Sequence, residues 1–305
     1  MASADAVIIG GGANGTSTAF HLASQGMRRV ILVERRALAS GATGKSGSLV
    51  RTHYTNEAES RLAFESLKVF RNFREIVGFD CGFQPIGFVQ IVARGYEDAL
   101  TRNVDAQERI GIKTTIISPD DLRRLMPGIR VDDIGAAAWE PDSGFADPNA
   151  TTFAFAAAAR KLGVSIRTEC EVTSIVSAGH RVVGVETSQG RINTPVVVLV
   201  PGAWGNALLA PLGLDFGLRP HRVQIAVFRW PEEARERPHI VIIDSIHHSW
   251  MRPEGWSSTL IGVELGVSHA DPNHFDEGVD HDYVKLCREK LSARLPLFAS
   301  ATMRG

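Results

Sequence analysis

Three glycines near the start of the chain, Gly10, Gly12 and Gly15, stand in a G-x-G-x-x-G spacing inside the stretch GGGANG. A carboxylate, Glu34, follows about 20 residues later, the separation expected of a dinucleotide-binding turn. Each residue type has a chemical reason to stand there. Gly10 permits a tight turn, Gly12 has no side chain to block a diphosphate, and Gly15 lets a helix pack closely on a sheet. Ala13 and Asn14 fall between them, where a helix N-terminus would aim N–H groups and a positive dipole end at phosphates. Glu34 can accept two ribose hydroxyls, and its charge would repel a 2′-phosphate, which disfavours NADP. These residues predict an ADP-containing dinucleotide and leave FAD and NAD both open.

A second glycine-rich stretch, SGATGKS over 40–46, ends in the Gly-Lys-Ser of a triphosphate-binding loop. That loop needs a glycine five positions before Gly44, where Ala39 stands, and an apolar strand leading into it, which is lacking. Gly41, Gly44 and Gly47 instead suggest backbone running close to a ligand. Cys81, Cys170 and Cys287 are odd in number and widely spaced, so neither a disulfide framework nor a cysteine zinc site is expected. His247 and His248 are neighbours that would point to opposite faces of a strand, which argues against shared metal ligation. No metal site is expected.

Periodicity indicates the elements that must hold these residues. Residues 5–10 (DAVIIG) read as a buried parallel strand. TSTAFHLASQG reads as a helix with Ala19, Leu22 and Ala23 on one face, and VILVE as a second strand ending at Glu34. Residues 56–77 have helical spacing, with Leu62, Leu67, Phe70 and Phe73 as core contacts. An alternating strand over 87–93 precedes helices over 96–110 and 118–126, the latter capped by Ser118. An Ala-rich helix over 150–162 leads into the strand VSIRT, the segment CEVTSIVSA and the hairpin RVVGVETSQGRINT. VVVLV (196–200) reads as a buried strand, and RVQIAVFRW, HIVIIDS and TLIGVELG as further strands before a helix over 278–295. This order predicts an α/β (α+β two-domain) fold, with a Rossmann-like nucleotide domain interleaved with a strand-rich substrate domain. The first takes residues 1–80 and 145–215, the second 81–144 and 216–290, and 291–305 begin a return toward the first. A small ligand would sit in the cleft between them.

Across 305 residues, Lys plus Arg number 33 and Asp plus Glu 34, a net charge of −1. No global field recruits nucleic acid or an anionic membrane. The start MASADAVIIG lacks a basic n-region, and no apolar run approaches the roughly 18 residues that span a bilayer. A soluble, cytoplasmic chain is expected.

Taken in order, GGGANG with Glu34, SGATGKSGSLVRTHY, EVTSI and VVVLVPGAWGNAL resemble the D-amino-acid-oxidase-like superfamily of flavoproteins, in its sarcosine-oxidase and glycine-oxidase branch. The resemblance covers essentially the whole chain. It implies FAD rather than NAD, and oxidation of a small amino or imino acid. Residue by residue, it implies that Gly10, Gly12, Ala13, Asn14 and Gly15 hold the FAD diphosphate and Glu34 the adenosine ribose. Val172 would meet the adenine edge through its backbone, with Arg35 or Arg36 packed nearby. Thr43, Gly44, Lys45 and Ser46 would pass near the diphosphate and isoalloxazine, Lys45 offering a positive charge. Gly202, Ala203 and Trp204 would approach from the returning strand. Arg51 matches the position that binds the substrate carboxylate in sarcosine oxidases, as a bidentate guanidinium can. The alternative for Arg51 is a surface pair with Glu57 or Glu59. His53 and Tyr54 would shape the same pocket.

Two departures modify the expectation. Where the resemblance implies a lysine over the flavin that promotes reaction with oxygen, Leu260 is the best match, which favours a dehydrogenase or slow oxidase. Family members also run on beyond the equivalent of Gly305, through a segment that wraps the flavin and carries the covalent cysteine. Either this sequence is a fragment or a partner subunit completes the site, and the FAD is expected to be non-covalent. The expected reaction is hydride transfer from the C–N carbon of a small secondary amine or N-methyl amino acid to flavin N5, then imine hydrolysis. The alternatives are FAD-dependent oxidation of a 2-hydroxy acid or glycerol phosphate, and a non-catalytic FAD-binding subunit. The expected partners are the small substrate and an electron acceptor or partner subunit.

Overall fold

Ala6–Ile9 form a strand with every residue buried, flanked by Val197–Leu199 on one side and Val30–Val33 on the other. In the computed structural model, which describes residues 2–232, 239–264, 266–268 and 270–305, Ser165–Arg167 completes this sheet, and all its pairings are parallel. Continuous apolar strands suit a parallel sheet covered on both faces. One face carries the helix Ala13–Ser24 packed on the Ala-rich helix Pro148–Lys161. The small side chains of Ala154, Ala156, Ala158 and Ala159 are all buried there, and Phe20 meets Phe155 at 5.7 Å between ring centres. The Ala-rich helix starts at Pro148, two residues before the expected start, because Asp147 caps the Ala150 amide and a proline in the first turn loses no hydrogen bond. On the other face lie Ala2–Ser3, Ile192–Asn193, Arg181–Thr187 and Val172–Ala178, a second sheet in that order.

A seven-stranded sheet holds the remaining large core. Its order is Ala226–Arg229, Ser258–Val263, Ser249–Glu254, Val241–Asp244, Phe88–Ala93, Ile134–Glu140 and Thr115–Ile117. Only Val241–Asp244 and Phe88–Ala93 run parallel. The helices Pro119–Leu125 and His281–Arg294 pack on it through Leu122, Cys287 and Leu291. Arg294, fully buried, donates to Asp244 at 2.7 Å and Asp133 at 2.8 Å, tying the helix end to the sheet. The last residues run beside Ala226–Arg229, with Met303 opposite Phe228.

The α/β class agrees with the sequence, while several local expectations are corrected. The helix over 56–77 is two, Glu57–Arg71 and Phe73–Val77, and Leu62 is 71% exposed rather than in the core. Phe88–Ile91 do not alternate, because this central strand is covered on both faces. Val197–Leu199 is half-buried, since it forms the edge of its sheet. Residues 222–230 divide between His221–Val223, paired with Gly266–Ser268, and Ala226–Arg229 in the large sheet. Leu265, inside the expected strand TLIGVELG, lies outside the described residues. His247 and His248 occupy a turn, not a strand, and face different carboxylates, Asp133 and Glu264. Among the described residues, no helix is long and apolar enough to cross a membrane.

Candidate functional site

The carboxyl ends of the strands Ala6–Ile9, Val30–Val33 and Val197–Leu199 open into a cavity of about 1170 Å³. Such strand ends are where open α/β sheets bind ligands. The glycine turn forms one wall. Gly10 has a φ of +116°, and a Cβ there would lie 2.3 Å from the Val200 carbonyl oxygen. A Cβ on Gly15 would lie 1.9 Å from the Gly10 carbonyl oxygen, so helix and turn touch backbone to backbone. Gly12 lines the cavity, and a Cβ there would meet Thr43 Oγ1 at 2.8 Å. The Thr43 hydroxyl accepts from the Ala13 amide at 3.2 Å, and no side chain of Gly12 caps the helix. The first-turn amides of a helix have no partner within it, and at this helix start Gly11, Gly12 and Asn14 line the cavity. The turn leaves side-chain-free space of the kind a diphosphate would need.

Glu34 stands at the wall beside this turn. One carboxylate oxygen accepts the Gly11 amide at 2.7 Å and the other the Arg36 amide at 2.8 Å. Those bonds fix its direction and leave acceptor capacity on both oxygens for ribose hydroxyls. Arg35, Arg36 and Val172 line the same space, as do Gly202, Ala203 and Trp204. Arg35 lies 4.0 Å over the Trp204 ring. Asn273, a wall residue the sequence reading does not single out, accepts from Trp204 Nε1 at 2.8 Å and from Arg35 at 3.2 Å. Of the stretch 43–46, only Thr43 reaches the wall. Gly44 packs on the Ala39 carbonyl, Ser46 lies 3.3 Å from the Ser48 hydroxyl, and Lys45 pairs with Glu277 at 3.0 Å. Ala13 and Gly15 stand behind the wall.

The stretch 39–54 leads from this cavity to the seven-stranded sheet. The Gly47 carbonyl accepts from Arg252 Nε at 2.6 Å, and Leu49–Val50 pairs with Gly144–Phe145. At its far end the Arg51 guanidinium lies 4.2 Å over the Tyr54 ring and 6.0 Å from the centre of the Phe88 ring, donating to the His53 carbonyl. Among the described residues no carboxylate forms an ion pair with it. Glu57 pairs with Arg61, and Glu59 bonds Asn56, so the surface-pair alternative for Arg51 does not hold. His53 is buried, and burial, then the charge of Arg51, lowers its pKa to about 4. It is neutral at pH 7, and its Nδ1 has no hydrogen bond of normal geometry. Gln107 donates to the Tyr54 carbonyl at 3.2 Å. Glu140, which also escapes the sequence reading, accepts from the Thr52 amide at 2.9 Å. A charged residue closing the apolar strand IGAAAWE was its one local signal. Leu260 is buried in the large sheet opposite Arg252 and Val227.

A family model described as FAD dependent oxidoreductase (DAO) matches residues 5–304. Mitochondrial dimethylglycine dehydrogenase of Rattus norvegicus is 32% identical over 230 residues, covering 73% of this chain and 26% of that protein. The sarcosine oxidase beta subunit of an Arthrobacter species is 29% identical over 253 residues, covering 80% of this chain and 62% of that protein. The chain thus spans less than two thirds of the length of either relative. Among solved structures, L-proline dehydrogenase of P. horikoshii superimposes with a TM-score of 0.91 at 23% identity, covering 100% of this chain and 80% of that one.

Proposed function

The chain belongs to the FAD-dependent oxidoreductase family, and from that premise we propose that it oxidises the C–N bond of a small secondary amine or N-methyl amino acid. One observation carries the reading: a single stretch, 39–54, has the dinucleotide cavity at one end and, at the other, a half-buried arginine without a carboxylate partner among the described residues. FAD, when bound, supplies the acceptor for a hydride equivalent from the substrate carbon next to nitrogen.

The chain's own residues do the rest by holding and orienting. Gly10, Gly12 and the first helical turn take the diphosphate, Glu34 the ribose, and the Val172 backbone the adenine edge. Arg51 grips the substrate carboxylate, which turns the C–N bond toward the flavin and converts an encounter into an oriented one. Neutral His53 and Tyr54 wall this end and exclude water from it. The imine is released to water and hydrolysed. The names of the relatives, which refer to dimethylglycine, sarcosine and proline, support an N-alkylated amino acid. Leu260 in place of a cation supports an electron acceptor other than oxygen, or a slow oxidase. Cys81, Cys170 and Cys287 are all buried, and Cys170 lies at the Val172 end of the cavity, which supports non-covalent FAD. The proposed cofactor domain is 1–80 with 145–215, and the substrate domain 81–144 with 216–290. A partner subunit, as for a relative that is itself called a beta subunit, would complete the assembly.

The test is anaerobic mixing of FAD-loaded protein with sarcosine, N,N-dimethylglycine and proline. Bleaching of the flavin absorbance by at least one of them is expected. Full colour with every amine, and bleaching by a 2-hydroxy acid or glycerol phosphate instead, would overturn the substrate class.

A further inference from the structure

Glu140 ends the strand Ile134–Glu140 and is 1% exposed. Both of its hydrogen bonds converge on one oxygen: Oε2 accepts from the Thr52 amide at 2.9 Å and from the Ser143 hydroxyl at 2.6 Å. Oε1 is buried without a hydrogen bond of normal geometry, as are Thr52 Oγ1 and, next to it in sequence, His53 Nδ1. Burial pushes the Glu140 carboxyl up, opposed by the Ser143 hydroxyl, by the amide and side chain of Thr52, and by the charge of Arg51. A buried carboxylate is a poor way to gain stability, because desolvation offsets much of what its bonds return. Unsatisfied buried polar atoms are rare enough that a group of them on one segment calls for a role beyond packing.

The geometry supplies that role. The Thr52 N–H belongs to the peptide plane that also contains the Arg51 Cα, so holding that N–H restrains the ψ of Arg51. We propose that Glu140 is a positioning residue for substrate: by holding the Thr52 amide to the end of the seven-stranded sheet, it sets the aim of Arg51. This inference rests on the reading of Arg51 as the carboxylate clamp. Glu140 lies 88 positions from Thr52, so a rigid sheet, rather than the loop itself, provides the reference frame for the clamp. Arg51 folds back over Tyr54 and onto the His53 carbonyl; the pairing of Leu49–Val50 with Gly144–Phe145 ties the segment before the Thr52 anchor, and Gln107, on the Tyr54 carbonyl, ties it after.

The experiment is a double-mutant cycle on FAD-loaded protein, using acetate as the probe and its perturbation of the visible flavin spectrum as the readout. Glu140→Ala should weaken acetate binding at least tenfold and raise KM for a carboxylated amine similarly, with kcat within threefold. Glu140→Gln keeps an acceptor for the Thr52 amide and should stay within threefold of wild type. In an Arg51→Ala background, Glu140→Ala should have no further effect, because coupled residues lose their interaction together. If Glu140→Ala does not fold, Glu140→Asp, shorter by one methylene, is expected to show the same loss and the same coupling. An equal loss with and without Arg51, an undiminished acetate affinity, or a Gln variant as damaged as the Ala variant would overturn the proposal. Amine bleaching judges the wider reading separately: bleaching without coupling defeats this inference alone, coupling without bleaching upholds it, and wild-type protein indifferent to acetate defeats it.

Discussion

Gly12 and Gly15 belong to one motif yet meet substitution differently. A Cβ on Gly15 would press on the backbone carbonyl of Gly10, which has nowhere to go without moving the helix. A Cβ on Gly12 would meet the hydroxyl of Thr43, the end of a side chain that can rotate, and would project into the cavity. Gly15→Ala should therefore cost about 1–3 kcal/mol of stability through overpacking, read as a lowered Tm. Gly12→Ala should leave stability within about 1 kcal/mol and weaken FAD binding at least tenfold, about 1.4 kcal/mol, by equilibrium titration. The opposite pattern would mean that the turn serves the packing of helix and strand and nothing else.

At the scale of elements, legibility follows how local the determinants are. The opening strand, glycine turn, helix and second strand read directly, because continuous apolar residues, glycines and a terminal carboxylate all lie within a few turns of one another. The Ser118 cap reads for the same reason, and the structure adds the return bond from Asp121. Ser249–Glu254 does not read as a strand, since Arg252, Pro253 and Glu254 interrupt its pattern; strands paired on both sides impose the conformation. The short strands Leu49–Val50 and Gly144–Phe145 likewise exist only through each other. The candidate site divides along the same line. Its glycine wall is legible in one motif, and Arg51, His53 and Tyr54 through their resemblance. Asn273 and Glu140 reach it from 69 and 88 positions away, from Trp204 and Thr52; no motif announces Asn273, and only a charge closing an apolar strand marks Glu140.

Over the whole molecule, acid should act first through buried histidines. Burial lowers the pKa of His239, which stacks on Trp230 and lies 2.9 Å from the Thr259 hydroxyl, and of His53 to about 4 from an ordinary 6.5. Between those values the unfolded chain binds protons that the folded chain refuses, so stability falls as pH drops from 6.5 toward 4. Each histidine accounts for at most about 3 kcal/mol of that fall. Glu140, raised by burial, works in the other direction, so the clean measurement is a difference. Chemical denaturation from pH 7 to 4.5 should show a shallower loss for His239→Gln than for wild type, and parallel curves would contradict the assignment. These stability effects surround the central claim, which is that the space at the ends of the parallel strands is built for FAD. Its most direct test is titration of FAD into the folded protein, followed by quenching of flavin fluorescence. The account predicts saturation at one FAD per chain and no competition by NADP. Folded protein that leaves the fluorescence unchanged would contradict it.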